Sequence, residues 1–327
     1  MIQSSVLKGT GNYSKPTAFL LLGLTNDPHL QLVLFNVFLI MYLVTLMGNV
    51  GIILVIHFTS SFHTPMYIFL SHLAFTDICY ASAVVPNTMV HLITQNRYIS
   101  GSGCAIQLFM FSSFGSTECL LFGVMAYDRY VAICNPLYYG TIMTIRTCNL
   151  LFATSYIFAT VQAAIQTGFT FSLYFCGSNV IDHFICDALP LLRLSCSKTT
   201  INEIIISLSA AIIGGGSLFI IVTSYLWIAT TVIKIPSSQG KKKAFSTCAS
   251  HLACVTLFYG TVLFNYLHPS GGVNMRQDVV ASIFYTMVIP MLNPLIYSLR
   301  NTEVRRICHQ FVTRRITFHL FSVQNQS

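Results

Sequence analysis

The sequence predicts an all-α membrane protein that folds as a bundle of seven transmembrane helices. Of its 327 residues, 54% are hydrophobic and only 8% are charged, whereas a soluble domain carries about 25% charged residues. Such a chain cannot cover a soluble globule with solvated surface, and its long apolar runs match the thickness of a bilayer. The net charge of +8 is therefore no sign of nucleic-acid binding, and we expect contact with membrane lipid instead.

The predicted spans each approach or exceed about 20 residues, the length that crosses about 30 Å of hydrocarbon. An N-terminal segment, residues 1–29, precedes the helix domain, residues 30–299. A short, basic, amphipathic tail, residues 300–327, follows it. The spans cover residues 30–58, 65–92, 105–131, 147–175, 203–233, 244–267 and 278–299.

The distribution of Lys and Arg predicts the orientation in the membrane, because an odd number of spans puts the two termini on opposite sides. With the N-terminus outside, 11 of the 17 Lys and Arg residues lie on the cytoplasmic side. We therefore expect a multi-pass plasma-membrane protein with a cytoplasmic C-terminus. No cleavable signal peptide is apparent, so the first span is expected to act as a signal anchor. The sequon Asn12-Tyr13-Ser14 then lies outside, and Asn12 is a candidate for glycosylation.

Two carboxylic acids, Asp77 and Glu118, fall in the middle of the second and third spans. Ionisable groups inside a bilayer are costly and tend to be functional. They form either a shared site for Na⁺ or a proton, or two neutral acids that each bond to a neighbouring helix. Asn49 and Asn293, at similar depth, are expected to complete the network. No other cofactor is expected.

Asp128-Arg129-Tyr130 lies at the cytoplasmic end of the third span. One interpretation is an interfacial arginine whose guanidinium reaches the lipid headgroups. The other is a local ion pair between Asp128 and Arg129, which holds the guanidinium in place until a partner moves it. An acid directly before the arginine on an otherwise apolar helix favours the ion pair, although the triplet by itself is a weak signal.

Four of the eleven cysteines are predicted to be extracellular, where disulfides form: Cys104, Cys176, Cys186 and Cys196. Four cysteines allow three pairings. A bond from Cys104, at the top of the third span, would lay the loop between the fourth and fifth spans over the mouth of the bundle. The stretch from His183 to Asp187 contains metal-ligating residue types. A disulfide-bonded Cys186 is no thiolate ligand, however, so no metal site is expected.

Six motifs occur in order along the chain, each at a defined place in a predicted span. Any one of them is weak evidence, but together they are highly specific. They are PMY at 65–67, LAFTDIC at 73–79, MAYDRYVAICNPL at 125–137, SY at 224–225, KAFSTCASHL at 243–252 and PMLNPLIYSLRN at 290–301.

This set of motifs resembles the odorant receptors of the rhodopsin-like G-protein-coupled class, in their tetrapod-type (class II) subclass, over nearly the whole chain. The resemblance implies the disulfides Cys104–Cys186 and Cys176–Cys196. It also implies a stimulatory, olfactory-type heterotrimeric G protein as partner, which raises cyclic AMP. Two departures are small: Lys241 stands where the family usually has Arg, and Ile68 where Phe is commoner.

The resemblance also places a ligand site in the outer half of the bundle, on one face of the third span and on the facing helices. No acid lies on the outer half of the third span and no Lys lies in the seventh, so we expect a small, neutral, lipophilic or volatile ligand. The candidate residues are Phe111, Ser112, Gly115, Ser116, Ser209, Ile213, Tyr259, Val262, Tyr266 and Thr286. Each taken singly is also a reasonable helix-packing residue.

A second set of residues is predicted to transmit ligand binding to the cytoplasmic side, where Pro294 allows the seventh span to bend. Transporters, channels and membrane enzymes are less consistent with the sequence, because it shows no repeated charged pathway and no catalytic constellation. A receptor for peptides or amines is the nearer alternative. The predicted switch residues are Asp128, Arg129, Tyr130, Tyr225, His251, Asn293, Pro294 and Tyr297.

Overall fold

The computed structural model describes residues 17–94, 96–176, 179–266 and 275–300. The predicted glycosylation site Asn12 and residues 301–327 of the predicted tail lie outside the described residues. The side chain of Tyr266, one of the candidate ligand residues, also lies outside them. The proposed division at residues 29 and 300 therefore stays a prediction.

Long helices dominate the described part of the chain, and they confirm the predicted seven-helix bundle. Six of them are long and apolar enough to cross a membrane. The sixth has an apolar stretch at Cys248–Val262, and its 29 residues reach about 44 Å at about 1.5 Å per residue. The seven spans, in order, are Pro28–Phe58, Pro65–Thr94, Gly101–Cys134, Ile145–Phe171, Thr200–Lys234, Ser238–Tyr266, and the series Met275–Ile283, Phe284–Val288 and Ile289–Arg300.

Polar caps explain why two spans begin earlier than predicted. The Ser100 hydroxyl accepts a hydrogen bond from Gly103 N at 3.0 Å, so the third span begins at Gly101. The Thr144 hydroxyl likewise accepts from Thr147 N at 3.2 Å and starts the fourth span at Ile145. Such caps satisfy backbone N–H groups that have no partner within the helix. They lie outside the apolar runs on which the predictions were based.

One end of the bundle, called here the strand end, carries a small sheet. Its middle strand is β1 (Ala18–Leu21), which pairs antiparallel with β2 (Tyr98–Ser100) and parallel with β3 (Val180–Ile181). Phe19 and Leu21 of β1 are buried. The sheet therefore ties the N-terminal segment to two separate interhelical connections.

Three of the connections contain short helical elements. At the end of the bundle opposite the sheet, called here the Arg129 end, 3-10 turns cover Ser60–Phe62 and Pro136–Tyr138, and a short helix covers Tyr139–Ile142. At the strand end, the short helix Ala188–Arg193 begins where the Asp187 carboxylate accepts a hydrogen bond from Ala188 N. The Asp187 carboxylate thereby pairs one of the N–H groups at the start of this short helix, which have no partner within the helix.

Two spans contain a π turn, at Ala210–Gly215 in the fifth and Phe284–Val288 in the seventh. A π turn holds one extra residue and alters which side chains face the bundle interior. In the fifth span, the Gly214 carbonyl accepts a hydrogen bond from the Tyr259 hydroxyl at 3.2 Å. The first π turn thus provides a contact between the fifth and sixth spans.

Large apolar side chains cover much of the outside of the bundle. Met47, Phe219 and Trp227 are 66%, 69% and 62% exposed, respectively. Exposed apolar surface of this extent is unusual in soluble monomers. It is the expected lipid-facing surface of helices whose backbone polar groups are paired internally.

The sequence led us to expect Asn49 to join the acid pair. In the structure, Asn49 instead connects the first span to the seventh. Its Nδ2 donates to Thr45 O and to Pro290 O, both at 3.0 Å. Pro290 O is the carbonyl that would accept from residue 294 in a regular helix, and Pro294 has no N–H. A carbonyl without a backbone partner has no water to bond to at this depth. The Asn49 amide supplies the missing hydrogen bond to Pro290 O.

We predict that Asn49→Leu lowers the free energy of unfolding by about 1–3 kcal/mol, because it leaves Pro290 O unpaired. The loss should be smaller when Pro294→Ala is also present, since alanine restores a backbone N–H for that carbonyl. Thermal unfolding of the purified single and double variants measures the coupling. Asn36→Leu is the matched control, because Asn36 is exposed on the same helix. Strict additivity of the two substitutions would contradict the argument.

Candidate functional site

A cavity of about 330 Å³ lies in the bundle at the strand end, bordered by the second to seventh spans. It contains eight of the ten ligand residues predicted from the sequence. Its lining also includes residues that the sequence did not suggest, on the second and fourth spans and in the loop above. The lining residues are Tyr80, Phe111, Ser112, Gly115, Ser116, Cys119, Gln162, Gln166, Asp187, Leu189, Ile206, Ser209, Ala210, Ile213, Gly214, Phe258, Tyr259, Val262 and Tyr285.

Aromatic rings form the side of the cavity near the second and seventh spans. The Phe111 ring stacks on Tyr80 with centroids 5.4 Å apart and lies 6.0 Å from the Tyr285 ring. Phe258 and Tyr259 of the sixth span meet edge to face at 5.3 Å. Contacts of this kind hold the rings in fixed positions. This side offers a ligand a preformed apolar surface.

The opposite side is polar and is called here the polar wall: Ser112, Ser116, Gln162, Gln166 and Ser209. The Ser112 hydroxyl donates to Gln166 Oε1 at 3.0 Å, and the Ser116 hydroxyl donates to Gln162 Oε1 at 3.1 Å. Gln162 Nε2 donates to Gln166 Oε1 at 2.7 Å and to Ser209 Oγ at 3.2 Å. The polar wall thus joins the third, fourth and fifth spans through one hydrogen-bond network.

A loop borders the cavity at the strand end. The disulfide Cys104–Cys186 fastens it to the third span, and Cys176–Cys196 closes a second turn of the same loop. This is the pairing that the resemblance implied. Gln107 Oε1 also accepts a hydrogen bond from Cys186 N at 2.9 Å. Asp187 and Leu189 thereby reach the cavity.

Asp187 brings a carboxyl group to a site that the sequence suggested would lack one. Its Oδ1 accepts a hydrogen bond from Ala188 N at 2.6 Å. Burial raises the pKa of the Asp187 carboxyl above its usual value. The third span itself still supplies no acid to the lining, since Glu118 lies deeper in the bundle.

Two predicted ligand residues are not found in the lining. Thr286 is fully buried, and its hydroxyl donates to Ser282 O at 2.5 Å. The π turn Phe284–Val288 changes the register of the seventh span, and Tyr285 faces the cavity instead. The side chain of Tyr266 lies outside the described residues.

The sequence did contain a signal for the missed residues of the fourth span. Gln162 and Gln166 are four residues apart, so they share one helix face. They occur in a span that is otherwise largely apolar. Two amides on one face of a membrane helix are expected to face the bundle interior, because lipid offers them no partner.

His183 anchors the loop to the seventh span beside the cavity. Ile185 N donates to His183 Nδ1 at 3.2 Å, so that Nδ1 is the acceptor and Nε2 carries the proton. Nε2 lies 3.3 Å from the Ser282 hydroxyl oxygen, and the ring stacks on Phe184 at 4.8 Å. Burial lowers the pKa of His183 to about 4. The side chain is therefore neutral at physiological pH.

Below the cavity, one amide holds both membrane-embedded acids. Asn293 Nδ2 is 3.1 Å from each carboxylate oxygen of Asp77 and 3.2 Å from Glu118 Oε1. All three side chains are buried. Glu118 Oε2 and Asn293 Oδ1 have no hydrogen-bond partner among the described residues. The cluster thus presents buried oxygen atoms from three spans.

At the Arg129 end, the structure replaces the expected Asp128–Arg129 ion pair with a different contact. The Tyr139 hydroxyl donates to Asp128 Oδ1 at 2.8 Å. Asp128 Oδ2 and Arg129 Nε have no hydrogen-bond partner within the described part of the chain. Consecutive side chains on a helix point about 100° apart and do not face each other. The acid therefore bonds across to the short helix Tyr139–Ile142.

The other predicted switch residues lie in the third, fifth, sixth and seventh spans, and Asn293 belongs to the acid cluster described above. His251 Nδ1 pairs with the Tyr225 hydroxyl at 2.8 Å, and its Nε2 pairs with Phe122 O at 3.1 Å. His251 therefore links the third, fifth and sixth spans. Tyr130 is half-buried at the end of the third span, whereas Tyr297 is buried in the seventh.

Comparison with known proteins identifies the family. The family model described as olfactory receptor matches residues 38–315. The chain belongs to the olfactory receptor family. It is 52% identical to olfactory receptor 5AP2 of Mus musculus over 305 residues, covering 92% of this chain and 96% of that one. It is 51% identical to olfactory receptor 8U3 of Mus musculus over 294 residues, which cover 90% of this chain and 92% of that one.

The crystal structure of squid rhodopsin has the same fold, with a TM-score of 0.70 and 17% identity over 87% of this chain and 81% of the rhodopsin chain. This olfactory receptor is therefore a multi-pass membrane protein with a rhodopsin-like bundle. It is a receptor rather than an enzyme. Family membership implies a small-molecule ligand and a G-protein partner.

We predict that the stability of the receptor depends on pH through His183. Between pH 6.5 and about 4, the unfolded chain binds a proton at this position and the folded receptor does not. Stability should therefore fall as the pH drops through this range, by up to about 1.4 kcal/mol per pH unit. Thermal unfolding of the wild type and of His183→Gln at several pH values measures the difference.

The control is His29→Gln, because His29 is exposed at the start of the first span. This variant should keep the pH dependence of the wild type. An equal dependence in His183→Gln and the wild type would show that His183 is not the group responsible.

Proposed function

We propose that this olfactory receptor binds small, neutral, lipophilic or volatile molecules in the cavity beneath the loop. In this proposal, binding activates a stimulatory, olfactory-type G protein and raises cyclic AMP. The observation that carries the proposal is the cavity itself, which joins an aromatic side to a polar wall under a disulfide-fastened loop. Its volume of about 330 Å³ lies at the small end of the range for ligand pockets, about 300–1,000 Å³.

The expected affinity follows from the size of the ligand. Burying a CH₂ group contributes about 0.8 kcal/mol, so a molecule of about ten heavy atoms gains roughly 8 kcal/mol. That corresponds to a dissociation constant near micromolar. Broad and weak recognition is therefore expected of this cavity.

The proposed orientation puts the strand end outside the cell and the Arg129 end in the cytoplasm. The excess of Lys and Arg on the Arg129 side supports it. Both disulfides then lie in the oxidising compartment. Arg129 lies at the end that the G protein would contact, and the basic residues Lys241 and Lys242 would lie against anionic lipid.

Activation is proposed as a shift between two packings of the helices. Tyr259 lines the cavity and also donates to Gly214 O, so a ligand that contacts it acts on both the fifth and sixth spans. Movement of the sixth span would separate Tyr225 from His251. The cytoplasmic cleft would then open beside Arg129, once Asp128 and Tyr139 rearrange.

The acid pair is proposed to bind Na⁺ or a proton and to stabilise the inactive packing. The buried oxygens of Asp77, Glu118 and Asn293 suit a small hard cation, and two facing carboxylates are stable together only with a proton or a cation between them. Loss of that ion would favour rearrangement of the second, third and seventh spans.

An agonist screen tests the main proposal most directly. Cells that express the receptor should produce cyclic AMP in response to small neutral odorants at about micromolar concentration. Amines and peptides serve as the comparison classes. Responses confined to peptides, or the absence of any cyclic AMP response with normal surface expression, would count against it.

Arg129→Ala should abolish agonist-dependent cyclic AMP while surface expression stays normal, because it removes the group proposed to meet the G protein. Arg146→Ala is the control, since Arg146 begins the neighbouring fourth span at the same end. Full signalling by Arg129→Ala would show that the switch lies elsewhere.

Asp77→Asn should remove the ion dependence of thermal stability. The wild type should unfold at higher temperature in NaCl than in choline chloride if Na⁺ binds, by the linkage between ligand and stability. If a proton binds instead, the unfolding temperature of the wild type should depend on pH rather than on the salt. Identical melting of the wild type under all these conditions would refute an ion site.

A further inference from the structure

The hydrogen bonds of the polar wall indicate which ligands the cavity selects, provided that the cavity binds ligands as proposed above. We propose that the receptor selects molecules with a hydrogen-bond-accepting oxygen, such as ketones, aldehydes and esters, and that Gln166 Nε2 donates to that oxygen. Gln166 lines the cavity and acts as a specificity-determining residue.

The orientation of the two amides follows from the hydrogen bonds of Ser209. The Ser209 hydroxyl donates to Ile205 O at 2.8 Å, so it offers only lone pairs to Gln162. The Gln162 atom 3.2 Å from Ser209 must therefore be the nitrogen. The same nitrogen is 2.7 Å from the nearest atom of the Gln166 amide, which must then be the oxygen. This fixes Gln166 Nε2 at the remaining position.

All hydrogen-bond donors of the polar wall but one already have a hydrogen-bond partner. The Ser112 and Ser116 hydroxyls donate to the two glutamine oxygens, and the two Gln162 N–H groups are used by Gln166 and Ser209. Gln166 Nε2, in contrast, has no hydrogen-bond partner among the residues that the structure describes. Its two N–H groups are the donors that remain for a ligand.

A ligand oxygen that only accepts is the natural partner of such a site. A carbonyl placed against Gln166 would take up an N–H group that otherwise stays unpaired in a largely apolar cavity, which is costly. Its hydrocarbon part would lie against Phe111, Phe258 and Ile213 on the other sides. A pure hydrocarbon fills the same space but leaves the amide unpaired, so the site discriminates against it.

Asp187 is the competing selector, because a carboxylate at the strand end of the cavity would favour a cationic amine. Burial raises its pKa, which weakens the case for a charged counter-ion. Its carboxyl also caps the short helix Ala188–Arg193 through Ala188 N. The polar wall contributes five residues with a defined donor count, and we therefore assign ligand selection to it.

The test combines a ligand change with a residue change. The ligands are the methyl ketone, the alkane and the primary amine of one nonyl skeleton. The variants are Gln166→Leu and, as a second apolar replacement, Gln166→Met. Thr154→Val is the matched control, because Thr154 is an exposed polar residue on the same helix. Each receptor is assayed for cyclic AMP and, after purification, for the ligand-induced shift in melting temperature.

In the wild type, the ketone should be about tenfold more potent than the alkane, as expected for one hydrogen bond. Gln166→Leu and Gln166→Met should weaken the ketone about tenfold and change the alkane by less than about twofold. Thr154→Val should leave both unchanged. A purely structural effect would weaken ketone and alkane alike, and that result would overturn the inference.

The remaining outcomes separate this inference from the proposed function. If the ketone raises the melting temperature in a Gln166-dependent way without raising cyclic AMP, the ligand class stands and the coupling proposal fails. If ketone and alkane raise cyclic AMP equally, the receptor function stands and the ligand class is overturned. If the amine is most potent and Asp187→Asn abolishes its effect, Asp187 selects the ligand and the inference is overturned.

Discussion

The amide of Asn293 is the contact on which the middle of the bundle depends. It bridges Asp77 and Glu118, so one side chain of the seventh span holds the second and third together where no lipid group can replace it. The cavity lies on one side of this bridge and Arg129 on the other. A buried polar cluster of this kind has few satisfied arrangements. Any rearrangement of this cluster would involve the second, third and seventh spans together.

The sequence predicted the fold well, because membrane helices follow directly from hydropathy. All seven spans were located, and their ends differed by a few residues where Ser100 or Thr144 caps a helix. Motifs identified the family. Eight of the ten candidate ligand residues line one cavity, while their role in ligand binding stays a prediction. The spans could be located because their length and hydropathy are visible in the sequence. The four candidates of the third span lie together because they share one face of a regular helix.

The errors came from features that regular spacing does not reveal. Thr286 was chosen as though the seventh span were a regular α-helix, but its π turn brings Tyr285 to the cavity. Asp128 was paired with its neighbour in sequence, although its partner Tyr139 comes from a separate short helix. Asn49 was placed by depth alone, whereas the missing N–H of Pro294 determines its partner. Each depends on contacts between elements.

The small sheet limits association between receptor molecules through strand pairing. An unpaired strand edge is a template for pairing with another chain, and β1 has both edges occupied because it lies between β2 and β3. The two outer strands are only three and two residues long. Such short strands offer few backbone groups to which a strand of another molecule could pair. Edge-to-edge aggregation of receptors through this sheet is therefore disfavoured.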